Sequence, residues 1–422
     1  MTGNPTVNWA KLVFALSETM DLASPALRQH QLRTAYVCWR MGQAAGLGPD
    51  RLRRLFTAAA LHDIGALAPE EKIRLHEYEN AQYESHCAWG EYLFNRVPRL
   101  AGAAPIIRHH HTPWGELDGR IDSPDLLDAQ ILHLADRLER CIRRGGFILH
   151  QDETLRRAMA GLAGSEIHPD VVHLFMECSA QTGFWLDLAS PGLGALMLRT
   201  GPLRVEPMAF EELQGVSELF SIIIDFRSGF TATHCAGVIA CARAIGAGAG
   251  LAGPELDALL LAANLHDIGK LVIHNEILEK GGALTQAEKQ IMKQHPYVTF
   301  HLLNQVEGLE QVARIAGYHH ERLDGGGYPF GIGAAGLDLP CRIMAVADIF
   351  TALAENRPYR SGLDRIEVGT ILQSCADRGW LDPDLAGLVI RNMGDVAVAM
   401  AASQEVWRER YRQTWREPAM GH

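Results

Sequence analysis

One short segment of the chain combines residues that bind metal with residues that let a ligand approach the backbone. It is HHERLDGGGYP at 319–329, where His319 and His320 offer adjacent imidazole nitrogens. The three glycines that follow permit positive φ and close backbone approach. Asp324 is expected to cap the turn or to hydrogen-bond a ligating histidine. The segment predicts a metal site that draws further ligands from elsewhere in the chain.

The same half of the chain supplies those further ligands. Together they are His234, His266, Asp267, His295, His319, His320 and Asp348. Nitrogen and carboxylate oxygen without thiolate suit Fe, Mn, Ni or Zn. Seven groups exceed the needs of one tetrahedral ion. We therefore expect two divalent ions about 3.5–4 Å apart, with Asp267 as the bridging carboxylate because it adjoins His266.

Such a pair of ions indicates hydrolysis of a phosphate ester. Two cations neutralise the phosphate charge, lower the pKa of a bridging water and align it for in-line attack. Lys270 follows His266 by four residues and is expected one helical turn away. Its ammonium would stabilise charge on the phosphate oxygens. Asp267 or a water would supply the proton that the leaving oxygen needs.

The first half of the chain repeats this pattern. FTAAALHDIGAL at 56–67 parallels LLAANLHDIGKL at 260–271. In both halves 32 residues separate the first histidine from the His-Asp pair, and 24 separate the next histidine from the double histidine. The interval of 24 selects His110 rather than His109. The repeated set, a possible second metal site, is His30, His62, Asp63, His86, His110, His111 and Asp136.

The repeat indicates a tandem duplication. It predicts a divergent first domain at 1–187, a connector at 188–213 that is rich in proline and glycine, and a catalytic domain at 214–422. Strand signals are few. We therefore predict a mostly α protein made of two tandem helical bundles.

Three segments have apolar residues at helical spacing and are predicted helices. They cover 52–67, 255–273 and 285–306. The last begins with Thr285, and Glu288 three residues later completes a capping box. The predicted helices would carry the histidines into the interior of each bundle.

Composition narrows the class of protein. The 422 residues are 47% hydrophobic with a net charge of −11, which argues against a surface for DNA or RNA. The eight cysteines include no CxxC pair, so reduced thiols are expected. The N-terminus has no signal-peptide pattern, and no run of about 18 apolar residues predicts a membrane span. These features favour a cytoplasmic location.

Four segments of the second domain together resemble the HD-GYP family, a branch of the HD phosphohydrolase superfamily. They are HDIGK (266–270), HHERLDGGGYP (319–329), RIMAVADIFTAL (342–353) and RPYR (357–360). The glycine-rich segment matches the HHExxDGxGYP pattern of the family in full. The resemblance implies hydrolysis of the 3′–5′ phosphodiester of cyclic di-GMP or cyclic GMP-AMP to a linear dinucleotide, and onward to mononucleotide, in bacterial second-messenger signalling.

The resemblance also implies roles for individual residues. It implies ligation of two or three metal ions, often iron or manganese, by the seven residues of the second domain. Lys270 and Arg357 match positions that contact the substrate phosphate, and Gly326, Gly327 and Tyr328 form the loop expected against the substrate. Phe230 occupies the position of the glutamate that binds a third ion, so two ions are expected. Thr351 replaces an aspartate of the family pattern.

The first domain resembles a general HD domain. Ala66 stands where the second domain has Lys270, and HHTPWGELDGR at 110–120 replaces the GYP loop. It either binds metal and acts on or senses a nucleotide, or is a structural and regulatory partner; loss of the lysine favours the second interpretation.

Two rival functions remain for the whole chain. It could be an HD-type phosphohydrolase of another nucleotide. It could also be a non-catalytic module that responds to cyclic dinucleotides or binds proteins. A full set of hydrolytic residues favours the enzyme, and either a homodimer or a signalling protein fits as a macromolecular partner.

Overall fold

The chain divides into two compact units. The computed structural model describes residues 7–22, 27–66, 70–71, 73, 83–117, 123–203, 207–226, 233–355 and 362–416. The first unit contains residues 8–207, and the second contains residues 1–7 and 208–422. The division falls inside the predicted connector. Phe230 and Arg357 lie outside the described residues.

Helices form most of the first unit. They are α1 (Trp9–Asp21), α2 (His30–Ala44), α3 (Pro49–Ala60), α4 (Glu84–Asn95), α5 (Pro98–Ala101), α6 (Ala104–His109), α7 (Pro124–Cys141), α8 (Asp152–Ala160), α9 (Pro169–Cys178), α10 (Thr182–Leu188) and α11 (Leu193–Thr200). Helix α2 packs against α3 and α7, and α4 packs against α6. These helices surround the first repeat of the histidine pattern.

The second unit is also helical. Its helices are α12 (Phe210–Phe226), α13 (His234–Gly248), α14 (Gly253–Leu265), α15 (Asn275–Leu278), α16 (Gln286–Met292), α17 (Gln294–Asn304), α18 (Glu310–Gly317), α19 (Leu339–Ala354), α20 (Arg365–Asp377), α21 (Pro383–Arg391) and α22 (Met393–Arg416). Helix α13 packs against α14, α19 and α22. Inside this bundle, Ile343, Val346 and Ala347 of α19 are fully buried. Their burial determines which face of α19 packs against the rest of the bundle.

Extended structure is minimal. Among the described residues, the named strands are β1 (Val7–Asn8) and β2 (Pro207–Met208), which hydrogen-bond to each other. The prediction of a mostly α protein is confirmed. None of the described helices is by itself long and apolar enough to cross a membrane, although the bent pair α21 and α22 meets the length and composition test jointly. All eight cysteines are free thiols.

The predicted helices over the His-Asp motifs end earlier than expected. Helix α14 ends at Leu265, and a 3₁₀ turn, Ile268–Val272, follows the motif. A side chain on Gly269 would place its Cβ 2.0 Å from the carbonyl oxygen of His295, so only glycine allows this approach. Gly65 meets the carbonyl of His86 in the same way, at 2.0 Å. The two glycines bring each His-Asp motif against the helix that carries the next histidine.

The segment 285–306 forms two helices instead of one. The capping box of Thr285 and Glu288 is present at the start of α16, as predicted. Helix α16 ends at Met292, and α17 begins at Gln294. Pro296 has no N–H, so it cannot bond the carbonyl of Met292 four residues earlier. That carbonyl is left for a different partner in the site.

Candidate metal centres

The seven candidate ligands of the second unit converge, and we call this set the second centre. Their ligand atoms form two groups, each within 4.8 Å, namely His234, His266 and Asp348, and His295, His319 and His320. Asp267 lies between the groups. Its Oδ2 is 3.3 Å from His266 Nε2, and its Oδ1 is 3.4 Å from His295 Nε2. The carboxylate therefore has one oxygen toward each group, as a bridging ligand requires.

The ends of helices position most of these side chains. His266 and Asp267 follow the last residue of α14, His319 and His320 follow α18, and His295 lies in the first turn of α17. His234 is the first residue of α13, and Asp348 lies within α19. Most of the set is buried, and His320 is the most open, with 27% of its side chain exposed. It therefore marks the side that a ligand could reach.

Backbone carbonyls orient three of the histidines. Nδ1 of His266 lies 2.8 Å from the carbonyl of Ala263, Nδ1 of His295 lies 2.8 Å from that of Met292, and Nδ1 of His319 lies 2.6 Å from that of Ala316. Such carbonyls are free because the last turn of a helix has no further N–H to bond. Each Nδ1 therefore carries the proton and donates it, which leaves the lone pair of Nε2 directed into the centre.

Among the described residues, no hydrogen-bond donor serves those lone pairs. Nε2 of His295 and Nε2 of His319 lie 3.2 Å apart, and neither has a proton to donate to the other. Nε2 of His266 is buried without a hydrogen-bond partner in the part of the chain that the structure describes. Buried nitrogens rarely stay unsatisfied, and a cation held by imidazole and carboxylate would satisfy all three. The donor set therefore fits divalent transition metals.

His234 is oriented by a side chain instead. Its Nδ1 lies 3.1 Å from Oε1 of Glu355, and its Nε2 lies 3.2 Å from Oδ1 of Asp348. Burial lowers the pKa of His234, but Glu355 and Asp348 outweigh it and raise that pKa to about 10 in the metal-free chain. Sequence reasoning missed Glu355. An acid within a few residues of the end of the helix carrying Asp348 was the available signal.

The other ionisable groups of the centre include two neutral histidines and an ionised aspartate. Burial lowers the pKa of His295 and of His320 to about 3, so both imidazoles are neutral and ready to ligate. Burial would raise the pKa of Asp267, but His266 and Lys270 hold it well below its ordinary value. His295 and His320 are thus neutral beside the ionised carboxylate of Asp267, which is the protonation state that metal ligation needs, whereas His234 would release a proton on binding a metal.

Lys270 contacts the predicted bridging carboxylate. Its Nζ donates to Oδ2 of Asp267 at 2.5 Å. Burial lowers the pKa of Lys270, but Asp267 outweighs it and the pKa is raised, so the ammonium persists. The predicted helical turn from His266 to Lys270 was wrong, because the chain leaves the α-helix at Leu265 and the lysine lies on the 3₁₀ turn.

A buried glutamate shapes the GYP loop. Glu321 accepts the N–H groups of Phe330, Gly331 and Ile332 at 2.7, 3.1 and 2.9 Å. The ring of Tyr328 lies 4.8 Å from that of His320 at 33°. The loop is therefore folded back beside the most open ligand. Sequence reasoning missed Glu321, although it directly follows the double histidine.

The structure selects between the expectations for this loop. The carboxylate of Asp324 accepts the N–H of Gly326 at 2.8 Å, so of its two expected roles it caps the turn and does not hydrogen-bond a histidine of the described chain. Of the three glycines only Gly325 has positive φ, at 76°. Gly327 is required for space, because a Cβ there would lie 2.5 Å from the backbone of Glu321. The substrate contacts of Gly326 and Gly327 stay predictions.

The first unit contains a matching set, the first centre. Its groups are His30, His62 and Asp63, and Asp63, His86, His110 and His111. Oδ2 of Asp63 is 3.4 Å from His62 Nε2, and its Oδ1 is 3.9 Å from His86 Nε2. Asp136 Oδ1 is 3.3 Å from His30 Nε2. The groups contain His110 and His111 and not His109, which agrees with the register from the interval of 24 residues.

The surroundings of the first centre differ. Gln31 donates to Oδ2 of Asp63 at 3.0 Å, and Nη1 of Arg140 lies 3.6 Å from Oδ2 of Asp136. The ring of Tyr83 stacks on that of His111 at 4.1 Å and 27°. Glu139 lies 2.6 Å from Nδ1 of His30. None of these four surrounding residues was predicted, because only tertiary structure brings them to the centre.

Comparisons with known proteins agree with this architecture. HD-domain family models match residues 27–141 and 210–385. 3′3′-cGAMP-specific phosphodiesterase 1 of Vibrio cholerae is 30% identical over 398 residues, covering 92% of each chain. The cyclic di-GMP phosphodiesterase response regulator RpfG of Xanthomonas campestris is 40% identical over 139 residues, 32% of this chain and 37% of that protein.

A solved structure has the same fold. It is a cyclic GMP-AMP-specific phosphodiesterase of Vibrio cholerae, V-cGAP3, with a TM-score of 0.61 at 20% identity over 95% of this chain and 98% of that one. The tandem arrangement predicted from the repeat is thereby confirmed. With two HD domains and a relative of this similarity along nearly its whole length, the chain belongs to the HD-domain family of phosphodiesterases.

Proposed function

We propose that the second unit hydrolyses the 3′–5′ phosphodiester of a cyclic dinucleotide. The observation that carries this proposal is the pair of ligand groups joined by Asp267, with the ammonium of Lys270 on the same carboxylate at 2.5 Å. A binding module has no need of this arrangement, so the non-catalytic alternative is not favoured. The relatives named as cyclic dinucleotide phosphodiesterases support the substrate class.

Two divalent metal ions would act as cofactors. His234, His266 and Asp348 would hold one ion, His295, His319 and His320 the other, and Asp267 would bridge them. When bound, such ions supply charge neutralisation and an activated water. Iron or manganese suits these nitrogen and oxygen ligands, as do nickel and zinc.

Protein side chains would bind and orient the substrate. Lys270 stays protonated and lies at the centre, where its N–H groups would hold a non-bridging phosphate oxygen in the transition state. The GYP loop would cover the phosphate from the side of His320, with Tyr328 already against that ring. Gly326 and Gly327 would allow close approach, and Arg357 would add a second positive charge.

Cyclic GMP-AMP and cyclic di-GMP are both candidates within this class. The relative that matches along nearly the whole chain is named for cyclic GMP-AMP, whereas the shorter match is named for cyclic di-GMP. We propose cyclic GMP-AMP as the better substrate, with cyclic di-GMP second. A non-cyclic nucleotide is the alternative within the enzyme class.

A product assay tests this function. Purified full-length protein is loaded with Mn²⁺ or Fe²⁺ and mixed with each cyclic dinucleotide, and the nucleotides are separated by chromatography. A linear dinucleotide or mononucleotide is expected with cyclic GMP-AMP. Unchanged cyclic substrates with tight binding would establish the non-catalytic module, and turnover of only non-cyclic nucleotides would establish the alternative enzyme.

The first centre supports a second function, metal-assisted binding of a phosphate group. The missing lysine favoured a structural and regulatory role, but Arg140 provides a guanidinium 3.6 Å from Asp136. The aromatic ring that Tyr328 supplies in the second centre is supplied here by Tyr83. Manganese content and protection by inorganic phosphate against thermal unfolding, compared between the natural chain and Arg140→Ala, test this function.

We further propose that the protein acts in the cytoplasm, where cyclic dinucleotide messengers are made and degraded. A homodimer or a signalling protein would be its macromolecular partner. Fractionation of cells and light scattering of the purified chain test these two proposals separately from the chemistry.

A further inference from the structure

We propose that Glu355 is a positioning residue for His234, and that it replaces an acid that the first unit carries at a different place on the equivalent helix. The proposal rests on the proposed function only in requiring that the second centre holds metal. It identifies a residue outside the ligand set whose loss would weaken metal binding there.

The first observation is a contact that both units share. In the second unit Nδ1 of His234 lies 3.1 Å from Oε1 of Glu355. In the first unit Nδ1 of His30 lies 2.6 Å from Oε2 of Glu139. Glu355 is 4% exposed and Glu139 is 1% exposed, so both glutamates are buried. The first histidine of each centre therefore has a glutamate behind it.

The position of these histidines explains why they need a side-chain acceptor. His30 begins α2, and His234 begins α13. The free backbone groups at the start of a helix are N–H donors, whereas free carbonyl acceptors occur at its end. His266 and His319 follow helix ends and use such carbonyls. His295 also lies at a helix start, but the end of the preceding helix provides the carbonyl of Met292. For His30 and His234 a carboxylate accepts the proton of Nδ1 instead.

The acids come from different places in the two units. The repeat aligns Asp136 with Asp348, which sets Glu139 against Thr351. Thr351 is fully buried, and its hydroxyl donates to the carbonyl of Ala347 at 2.8 Å. Glu355 follows Thr351 by four residues, about one helical turn, and so reaches the same imidazole nitrogen from the end of α19. The acid therefore lies at different positions along the equivalent helix in the two units, but it makes the same contact with the histidine.

A further contact supports Glu355 from a different helix. Nε2 of Gln404, in α22, lies 3.5 Å from Oε2 of Glu355 and 3.3 Å from the carbonyl of Thr233. Gln404 is itself buried, at 3% exposed. The amide thus connects the carboxylate to the residue that immediately precedes His234. This arrangement limits movement of the imidazole ring relative to the centre.

Metal binding by His234 depends on which of its two ring nitrogens carries the proton. A carboxylate that accepts from Nδ1 holds the ring in one tautomer and makes Nε2 a stronger donor to a metal. Loss of such a partner typically costs about 10–100-fold in metal affinity or activity. Glu355 should therefore influence the ion held by His234, His266 and Asp348.

The test measures metal directly. In the full-length chain with Asp63→Ala, which removes the bridging carboxylate of the first centre, Mn²⁺ binding is titrated against a chelator and verified by elemental analysis. Glu355→Ala should lower the Mn²⁺ affinity about 10–100-fold. Glu355→Gln keeps an oxygen acceptor but no charge and should cost less. Adding Thr351→Glu to Glu355→Ala copies the first unit and should recover most of the affinity.

Spectroscopy and a matched control separate positioning from stability. Glu355→Gln should shift the visible absorption of the Co²⁺-substituted chain, because the donor strength of His234 changes. Asp364→Ala removes the side chain that caps α20, and should lower the thermal midpoint without changing the Mn²⁺ affinity. If Glu355→Ala does not fold, the affinity and the spectrum of Glu355→Gln decide the proposal.

Several results would overturn the proposal. An affinity of Glu355→Ala within about twofold of its parent would exclude a positioning role, as would unchanged affinity and absorption in Glu355→Gln. A folded Thr351→Glu, Glu355→Ala chain with no recovery would reject the relocation. Because these readouts need no turnover, a chain that binds metal normally but hydrolyses no cyclic dinucleotide would refute the proposed function alone.

Discussion

The two centres share one ligand pattern but surround it differently. In the second centre the ammonium of Lys270 donates to Asp267 at 2.5 Å, whereas in the first centre the neutral amide of Gln31 donates to Asp63 at 3.0 Å. The first centre has its cation on the other carboxylate, where Arg140 lies beside Asp136. The two units therefore keep the same set of candidate metal ligands while the hydrogen-bond donor to the central carboxylate changes.

A proline accounts for a second difference. In the second unit Pro296 leaves the carbonyl of Met292 free, and His295 donates to it at 2.8 Å. In the first unit Cys87 occupies the position of the proline, and its N–H bonds the carbonyl of Tyr83 at 3.2 Å. Nδ1 of His86 is consequently buried with no hydrogen-bond partner among the described residues. The second centre is the more completely oriented of the two.

The largest expected effect is loss of the bridging carboxylate. Asp267→Ala should lower the rate of cyclic dinucleotide hydrolysis by at least about a thousandfold, because neither ligand group keeps its shared oxygen. Asp63→Ala, the matched change in the first unit, should have a much smaller effect. Chromatographic product assays measure both, with circular dichroism to establish folding. Equal losses in two folded variants would contradict the assignment of catalysis to the second unit.

The second largest effect on hydrolysis is expected from loss of the Lys270 ammonium. Lys270→Ala should lower kcat by about a hundredfold or more with little change in bound metal, because the lysine contacts a ligand without being one. Lys270→Gln, which copies the amide found in the first centre, should recover little activity. Steady-state kinetics and elemental analysis are the measurements. Full activity in Lys270→Gln would mean that the difference between the two centres has no catalytic consequence.

Acid should destabilise the metal-free chain. Burial lowers the pKa of His110 and of His295 to about 3 and that of His86 and of His133 to about 4. As pH falls below 6.5, these histidines bind protons in the unfolded chain but stay neutral in the folded chain. The free energy of unfolding therefore decreases.

Burial lowers the pKa of His30, His62 and His234, but neighbouring carboxylates outweigh it and raise these pKa values, which acts in the opposite direction. The pKa of His234 lies at about 10, so its contribution is complete below 6.5 and is lost as pH rises toward 10. Among the described residues, histidines with a lowered pKa outnumber those with a raised pKa, so the thermal midpoint in chelator should fall between pH 7 and pH 5, by about 2–4 °C for each kcal/mol of stability lost. Scanning calorimetry of the chain and of His133→Asn measures this, with a smaller fall expected for the variant. A midpoint that rises on acidification would refute the assignment.

The smallest effect should come from the proline. Pro296→Ala restores an N–H that competes for the carbonyl of Met292, and should weaken Mn²⁺ binding by less than about tenfold. Chelator competition measures the change, with Pro340→Ala, in the first turn of α19, as the matched control. An unchanged affinity would show that the orientation of His295 does not depend on this carbonyl.

Much of the architecture could be predicted from residue types and intervals. The repeat of histidines and aspartates indicated two similar helical units, and the comparisons confirmed two HD domains. The structure brings all seven predicted residues of each set together, although their roles as ligands stay predictions. Helix ends were placed too late at both His-Asp motifs, because helical spacing continues in the sequence beyond the residue where the backbone turns at Gly65 and Gly269.

The sequence by itself determined which groups meet at the centres, because imidazoles and carboxylates recur in the same order and at matching intervals in both halves of the chain. Only the tertiary structure decided how each group is held. Glu139, Glu321 and Glu355 hydrogen-bond to residues that are distant in sequence or that lie in loops. The spacing of residues along the sequence does not indicate such contacts. Charge and tautomer at the centres depend on these partners, since a buried imidazole takes its proton position from whatever accepts its N–H.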